Sequence, residues 1–105
     1  MKLLGREDIR PLLEESYGSS GLLLHERELG AEFFDLRSGL AGELFQLFNN
    51  YGQKLALVVP DPGIYSKHFL DLVAEHRNHA RLRFFSDENK ARAWLERTGQ
   101  ETEAI

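Results

Sequence analysis

Apolar side chains recur at helical spacing in four stretches of the chain and form short unbroken runs in three others. Ile9, Leu12, Leu13 and Tyr17 fall on one face of a helix predicted over residues 6–17. Pro11 belongs in its first turn, where a missing N–H is harmless, and Asp8 is the expected cap. Gly18, Ser19, Ser20 and Gly21 then break the pattern. Leu22 to His25 is an apolar run of strand length. Residues 26–32 read as a loop, and Phe33 to Leu36 as a second extended piece or a short turn. The best-defined helix follows. Leu40, Leu44, Leu47, Phe48 and Tyr51 form its apolar stripe, widened by Ala41 and Phe45, while Glu43, Gln46, Asn49 and Asn50 face away. Ser38 is its expected N-cap and Gly52 its stop.

The second half repeats the alternation. Lys54 to Val59 is nearly continuous in apolar residues, as in a strand covered on both faces. "PDPG" at 60–63 is a turn, and residues 66–77 form a third helix carrying Phe69, Leu70, Leu72 and Val73. Arg81 to Phe85 alternates into a strand. A last helix, capped by Ser86 or Asp87, runs through Ala91, Trp94 and Leu95 to Gly99. One domain over residues 1–97 is expected, with 98–105 a frayed tail. Strands alternating with helices predict the α/β class, a small mainly parallel sheet with about four helices packed on it. Three strands are few for such a sheet. The expectation is that an N-terminal strand is absent, or that "MKLL" or a second subunit covers the edge.

Composition narrows the function classes. The chain has 105 residues, 42% of them hydrophobic and 29% charged, the mix of one soluble domain. It contains no cysteine, so thiol catalysis, disulfides and cysteine-ligated metals are excluded. The net charge is -4 and no Lys/Arg run stands out, so nucleic acid is not an expected partner. No apolar run approaches a membrane span and the N-terminus lacks the apolar core of a signal peptide. The expected location is the cytoplasm.

The stretch "DLRSGLAGE" at 35–43 carries the main chemical question, because Gly39 and Gly42 at a helix start each cost about 1 kcal/mol relative to alanine. The first amides of a helix are unpaired and partly positive, so an anion or partner can be held there. Gly39 and Gly42 leave that backbone open, and Arg37 can pair an anion bidentately. A phosphate on Ser38 would add close to two negative charges and block docking. The candidate site is therefore Asp35, Arg37, Ser38, Gly39, Gly42 and Glu43. The structural alternative makes Ser38 a cap, Gly42 a close crossing of helix and sheet, and Arg37 a surface partner of Asp35 or Glu43.

With "FFDLRSGLAGE", "NNYGQKLALVV" and "FFSDENKARAWL", the chain resembles a bacterial family known as domain of unknown function 4180 over roughly residues 5 to 97. The likeness is most specific at FFDL-x-[ST]-GLAGE. Members of that family carry an extra N-terminal segment that looks like a strand pair, and this sequence begins where that segment would end. More distantly the layout resembles a STAS domain, the fold of anti-sigma factor antagonists. There an aspartate precedes a phosphorylatable serine or threonine at a helix mouth, followed by Gly-Leu. Asp35, Ser38, Gly39 and Leu40 stand in that order here, with Leu36 and Arg37 inserted between the aspartate and the serine. The resemblance implies a STAS-like fold and a regulatory protein-interaction switch.

His25 and Glu26 end the first strand, where open α/β sheets bind ligands, and with Asp35 they form a secondary acid–base candidate. No nucleophile motif accompanies them. His76 and His79 have metal-like spacing but only Glu75 beside them, and Arg77, Arg81 and Arg83 read as complements to a helix C-terminus. Neither a metal nor a cofactor is expected. The leading expectation is a non-enzymatic binding or regulatory module with a protein partner, and dimerisation through exposed aromatics is a further one. A small-molecule or anion binder at the same helix mouth, helped by His25 and Glu26, is the alternative. A purely structural homo-oligomer is the third reading.

Overall fold

The computed structural model describes Leu3 and residues 5–104, with side chains described as far as Glu96. The expected tail at 98–105 lies outside the residues with described side chains. Three strands, β1 (Leu22–His25), β2 (Leu55–Val58) and β3 (Leu82–Phe85), form one parallel sheet with β2 in the centre. Leu22, Leu55 and Leu82 stand in one row across it, and His25, Val58 and Phe85 in the last. Five α-helices accompany the sheet: α1 (Ile9–Ser16), α2 (Ala31–Phe34), α3 (Leu40–Asn50), α4 (Lys67–Glu75) and α5 (Glu88–Ala104). The α/β class and the parallel sheet are as expected. The fifth helix is α2, where a turn or extended piece was anticipated.

Side-chain alternation divides the sheet into two faces. Leu22, Leu24, Leu55, Leu57 and Leu82 point into the main core, against Leu12, Leu13, Phe33, Leu44, Phe48 and Phe69 of α1 to α4. Ala56 and Val58 point the other way and pack under Ala91, Trp94 and Leu95 of α5. All four residues of β2 are buried, which explains its unbroken apolar sequence. Each large apolar side chain buried in this way contributes roughly 1.5–3 kcal/mol.

Local chemistry sets the element ends. Gly52 takes φ +68 after α3, and the Gly52 and Gln53 amides donate to the carbonyls of Asn49 and Phe48, a Schellman ending. The Ser66 hydroxyl accepts the Phe69 amide at 3.0 Å and starts α4. Asp87 Oδ1 accepts the Lys90 amide at 2.9 Å and starts α5. Asp8 precedes α1, but its carboxylate turns back to the Gly5 amide at 3.1 Å. A 3-10 turn over Arg6–Asp8 causes this by continuing directly into the helix.

Of the "MKLL" segment only Leu3 is among the described residues. It is fully buried and makes a parallel bridge with Leu29, donating to the Glu28 carbonyl at 3.1 Å and accepting from the Gly30 amide at 2.9 Å. This bridge lies past the end of β1. The outer edge of β1 itself has no neighbouring strand among the described residues.

Candidate functional site

At the mouth of α3, Gly39 rather than Ser38 is the N-cap, with φ +80 in the left-handed region that glycine occupies freely. Ser38 stands one position earlier, at the end of a 3-10 turn over Leu36–Ser38. Its hydroxyl accepts the Leu40 amide at 3.2 Å and donates to the Glu32 carbonyl at 2.8 Å. The serine therefore ties α2 to α3 as well as serving the helix start.

Arg6 closes this mouth from outside. Its guanidinium donates to the Ser38 carbonyl at 2.7 Å and pairs with Glu43 at 2.6 Å, with Glu32 at 3.9 Å. A Cβ on Gly39 would lie 3.2 Å from the same guanidinium. The space beside Gly39 thus belongs to an internal arginine. Gly42 behaves differently: a Cβ there would meet nothing within 4 Å. It faces solvent, so the expected close crossing between this glycine and the sheet does not occur.

Asp35 and Arg37 look onto another feature. Asp35 Oδ1 accepts the Arg37 amide at 3.2 Å and lies 3.5 Å from Arg37 Nε, and the arginine side chain is 95% exposed. Both line an open groove of ≈ 740 Å³ beyond the C-terminal ends of β1 and β2. Ala31, Phe34 and Leu36 form one wall, and Tyr65, Ser66 and His68 form the other. The Phe34 and Tyr65 rings stack with centroids 3.8 Å apart and planes 7° from parallel. Both stand edge-on against Phe69, which is fully buried. The Tyr65 hydroxyl donates to the Glu26 carboxylate. Burial first, then that bond and the charges of Glu26 and Asp61, push the phenol up to about 12, so it remains a neutral donor. This strap ties the β1 connection to the β2 connection beneath the groove.

Strand alternation separates the secondary candidates. His25 points to the α5 face, where its Nε2 lies 2.7 Å from Glu88 Oε1. Arg92 holds the other Glu88 oxygen with Nε and a terminal nitrogen, each at 2.6 Å. The hydrogen bond from Arg92 leads in holding the Glu88 carboxyl below its usual range; desolvation opposes it, and the charges of Arg92 and His25 and the His25 hydrogen bond add to the lowering. Glu26 serves Tyr65 on the opposite side. His25, Glu26 and Asp35 therefore do not meet, and the anticipated acid–base cluster is not formed. His25, Glu88 and Arg92 line a second cleft of ≈ 600 Å³ with Ser19, Ser20 and Arg27.

The His76 and His79 rings lie 5.4 Å apart, but His79 Nδ1 accepts the Arg81 and Leu82 amides at 3.0 and 3.2 Å. Its position is that of a turn-builder. Among the described residues no group of three or more His, Cys, Asp or Glu is placed to hold a metal ion, and no described helix is long and apolar enough to cross a membrane.

Residues 2–95 match the profile of a family described as "Domain of unknown function (DUF4180)". The chain belongs to that family. No curated protein and no solved structure gives a significant match. In this DUF4180 chain, the residues expected around one site divide: Ser38, Gly39 and Glu43 lie with Arg6 at the α3 mouth, and Asp35 and Arg37 line the groove. Arg6, Tyr65, His68 and Glu88, which complete these surroundings, were not among the expected residues. The signal for Tyr65 and His68 was available: they follow the turn at the C-terminal end of β2, the position where open α/β sheets bind ligands. Arg6 and Glu88 carried no such signal, because their partners Ser38 and His25 are remote in sequence.

Proposed function

We propose that this DUF4180 protein is a non-enzymatic binding module whose recognition surface is the groove over the stacked Phe34 and Tyr65 rings, with Asp35 and Arg37 on its wall. One observation carries the reading: a solvent-open aromatic floor lies beside a fully exposed arginine at the strand ends. Ser38, Gly39 and Glu43 then act from below. With Arg6 they fix the angle between the groove wall and α3. Gly42 takes no part, since it touches neither wall nor sheet.

A protein partner is the first form of this reading. The test is a photo-crosslinking residue in place of His68, in cells that make the protein. A discrete adduct is expected, lost on Tyr65→Ala and not obtained from the same crosslinker at Gln46. Equal adducts from both positions, or none from His68, reject the reading. An adduct of twice the chain's mass identifies a second copy as the partner. A small-molecule binder is the second form, favoured by a groove volume of ≈ 740 Å³, inside the roughly 300–1,000 Å³ span of ligand pockets. A STAS-like switch at Ser38 is the costlier form. Phosphorylation would remove the O–H that Ser38 donates to the Glu32 carbonyl, leaving that tie between α2 and α3 unmade.

A further inference from the structure

Resting on the groove reading above, the charge distribution around Phe34 and Tyr65 narrows what the groove can take. Asp35 is the one carboxylate lining it among the described residues. That charge is already met by Arg37, through the Arg37 amide and Nε. The two terminal nitrogens of Arg37 have no protein partner among the described residues, and neither does the His68 imidazole on the facing wall. Among its lining residues the groove therefore presents unused donors and no unmatched carboxylate; the charges of Glu26 and Asp61 act on it from behind the Tyr65 ring. Its floor is apolar: two rings stacked face to face and set edge-on to Phe69, so that their edges and outer faces are what a ligand can meet, with Ala31 and Leu36 beside them. Parallel and edge-to-face aromatic contacts favour a third ring over a bulky aliphatic group. A guanidinium with a free fork favours a carboxylate held bidentately.

We propose that the groove binds an aromatic ring bearing a carboxylate, the ring against Phe34 and Tyr65 and the carboxylate between Arg37 and His68. A free aromatic acid is the occupant the groove volume of ≈ 740 Å³ favours, inside the roughly 300–1,000 Å³ span of ligand pockets, and a polypeptide chain ending in an aromatic residue is the competing outcome. Both are reached by one experiment on the full chain, an amide-resolved NMR titration. The probes are 3-phenylpropionate, its neutral amide, and a tetrapeptide ending in phenylalanine with a free or an amidated C-terminus.

The acids are expected to shift the amides of residues 34–37 and 65–68, and to bind about tenfold tighter than the matching amides, a difference of about 1.4 kcal/mol. Arg37→Gln, at an exposed position, should remove most of that difference while leaving the spectrum folded. Preference for phenylpropionate over the peptide acid supports the small acid, and preference for the peptide acid overturns it in favour of a chain end. Equal binding of acid and amide in the groove overturns the carboxylate inference and leaves the groove reading standing. Shifts confined to the α3 mouth or the His25 cleft, or none with any probe, overturn this inference outright. The crosslinking result then decides the groove reading separately.

Discussion

On one face of the sheet five strand leucines meet side chains from four helices, and Phe33, Phe34, Phe45, Phe69 and Phe84 form a chain of edge-to-face contacts. On the other face Ala56 and Val58 meet α5 alone. The first face is mainly apolar, with Ser16 of α1 buried and the His76 ring set against Phe45 and Phe84. The second mixes packing with polar fastening: His25 to Glu88 at one side and the Arg83 guanidinium 5.2 Å from the Trp94 ring at the other. Among the described residues the buried Trp94 indole N–H has no hydrogen-bond partner. One helix is narrower than three strands, so charged stems must cover what α5 does not. Stability should therefore reside in the four-helix face, while the α5 face tolerates change.

The largest effect should come from Phe69→Ala. Phe69 is fully buried and touches the rings of Phe33, Phe34, Tyr65 and Phe84, so its loss should cost about 3–5 kcal/mol in urea unfolding. Leu95→Ala on the α5 face should cost about 2 kcal/mol, the low end for a buried leucine, because the rim of α5 can settle. Equal costs for the two would erase the contrast between the faces.

Gly42→Ala tests the outer surface of the four-helix layer. With open space around its Cβ and helical backbone, alanine should stabilise by up to about 1 kcal/mol, seen as a raised Tm. A destabilised Gly42→Ala protein would show that this surface is packed after all.

The smallest effects are in pH dependence, and they separate the faces. His79, in the turn that leads into β3, is held below its ordinary value near 6.5 by burial first and then by His76, Arg81 and Arg83. The unfolded chain therefore takes up this proton at higher pH than the native one. Stability from His79 is complete above about pH 6.5 and falls as pH drops toward its lower native value. Glu88, on the α5 face, is likewise lowered, so its contribution is present above its ordinary value near 4.5 and is lost below it as the native carboxyl protonates. Urea midpoints across pH should show two separate declines. His79→Gln should remove the upper one and Glu88→Gln the lower one.

The alternation of elements, the central apolar strand and the ends at Gly52, Ser66 and Asp87 were legible in the sequence because each is written in local chemistry. Helix α2 was not legible. Its four residues are too few to show a helical period, and its phenylalanines also suit a strand. The site was half legible for a related reason. Asp35 and Arg37 stood out within a short motif, but whether the α3 mouth was open depended on Arg6, whose reach to Ser38 and Glu43 no local pattern records. The stacked pair of Phe34 and Tyr65 likewise comes from two different crossovers, and only the register of β1 on β2 brings them together.

That register has a kinetic consequence. Among the described residues the sheet contains no hairpin: β1 meets β2 only after a connection carrying α2 and α3 closes, and β2 meets β3 only after one carrying α4 does. Neither pairing can form locally. The rate-limiting ensemble is expected to gather α3 and α4 around β2 before either edge strand is in register, and α5 should dock last. Substitutions beneath α5 should then speed unfolding while leaving the refolding rate nearly untouched.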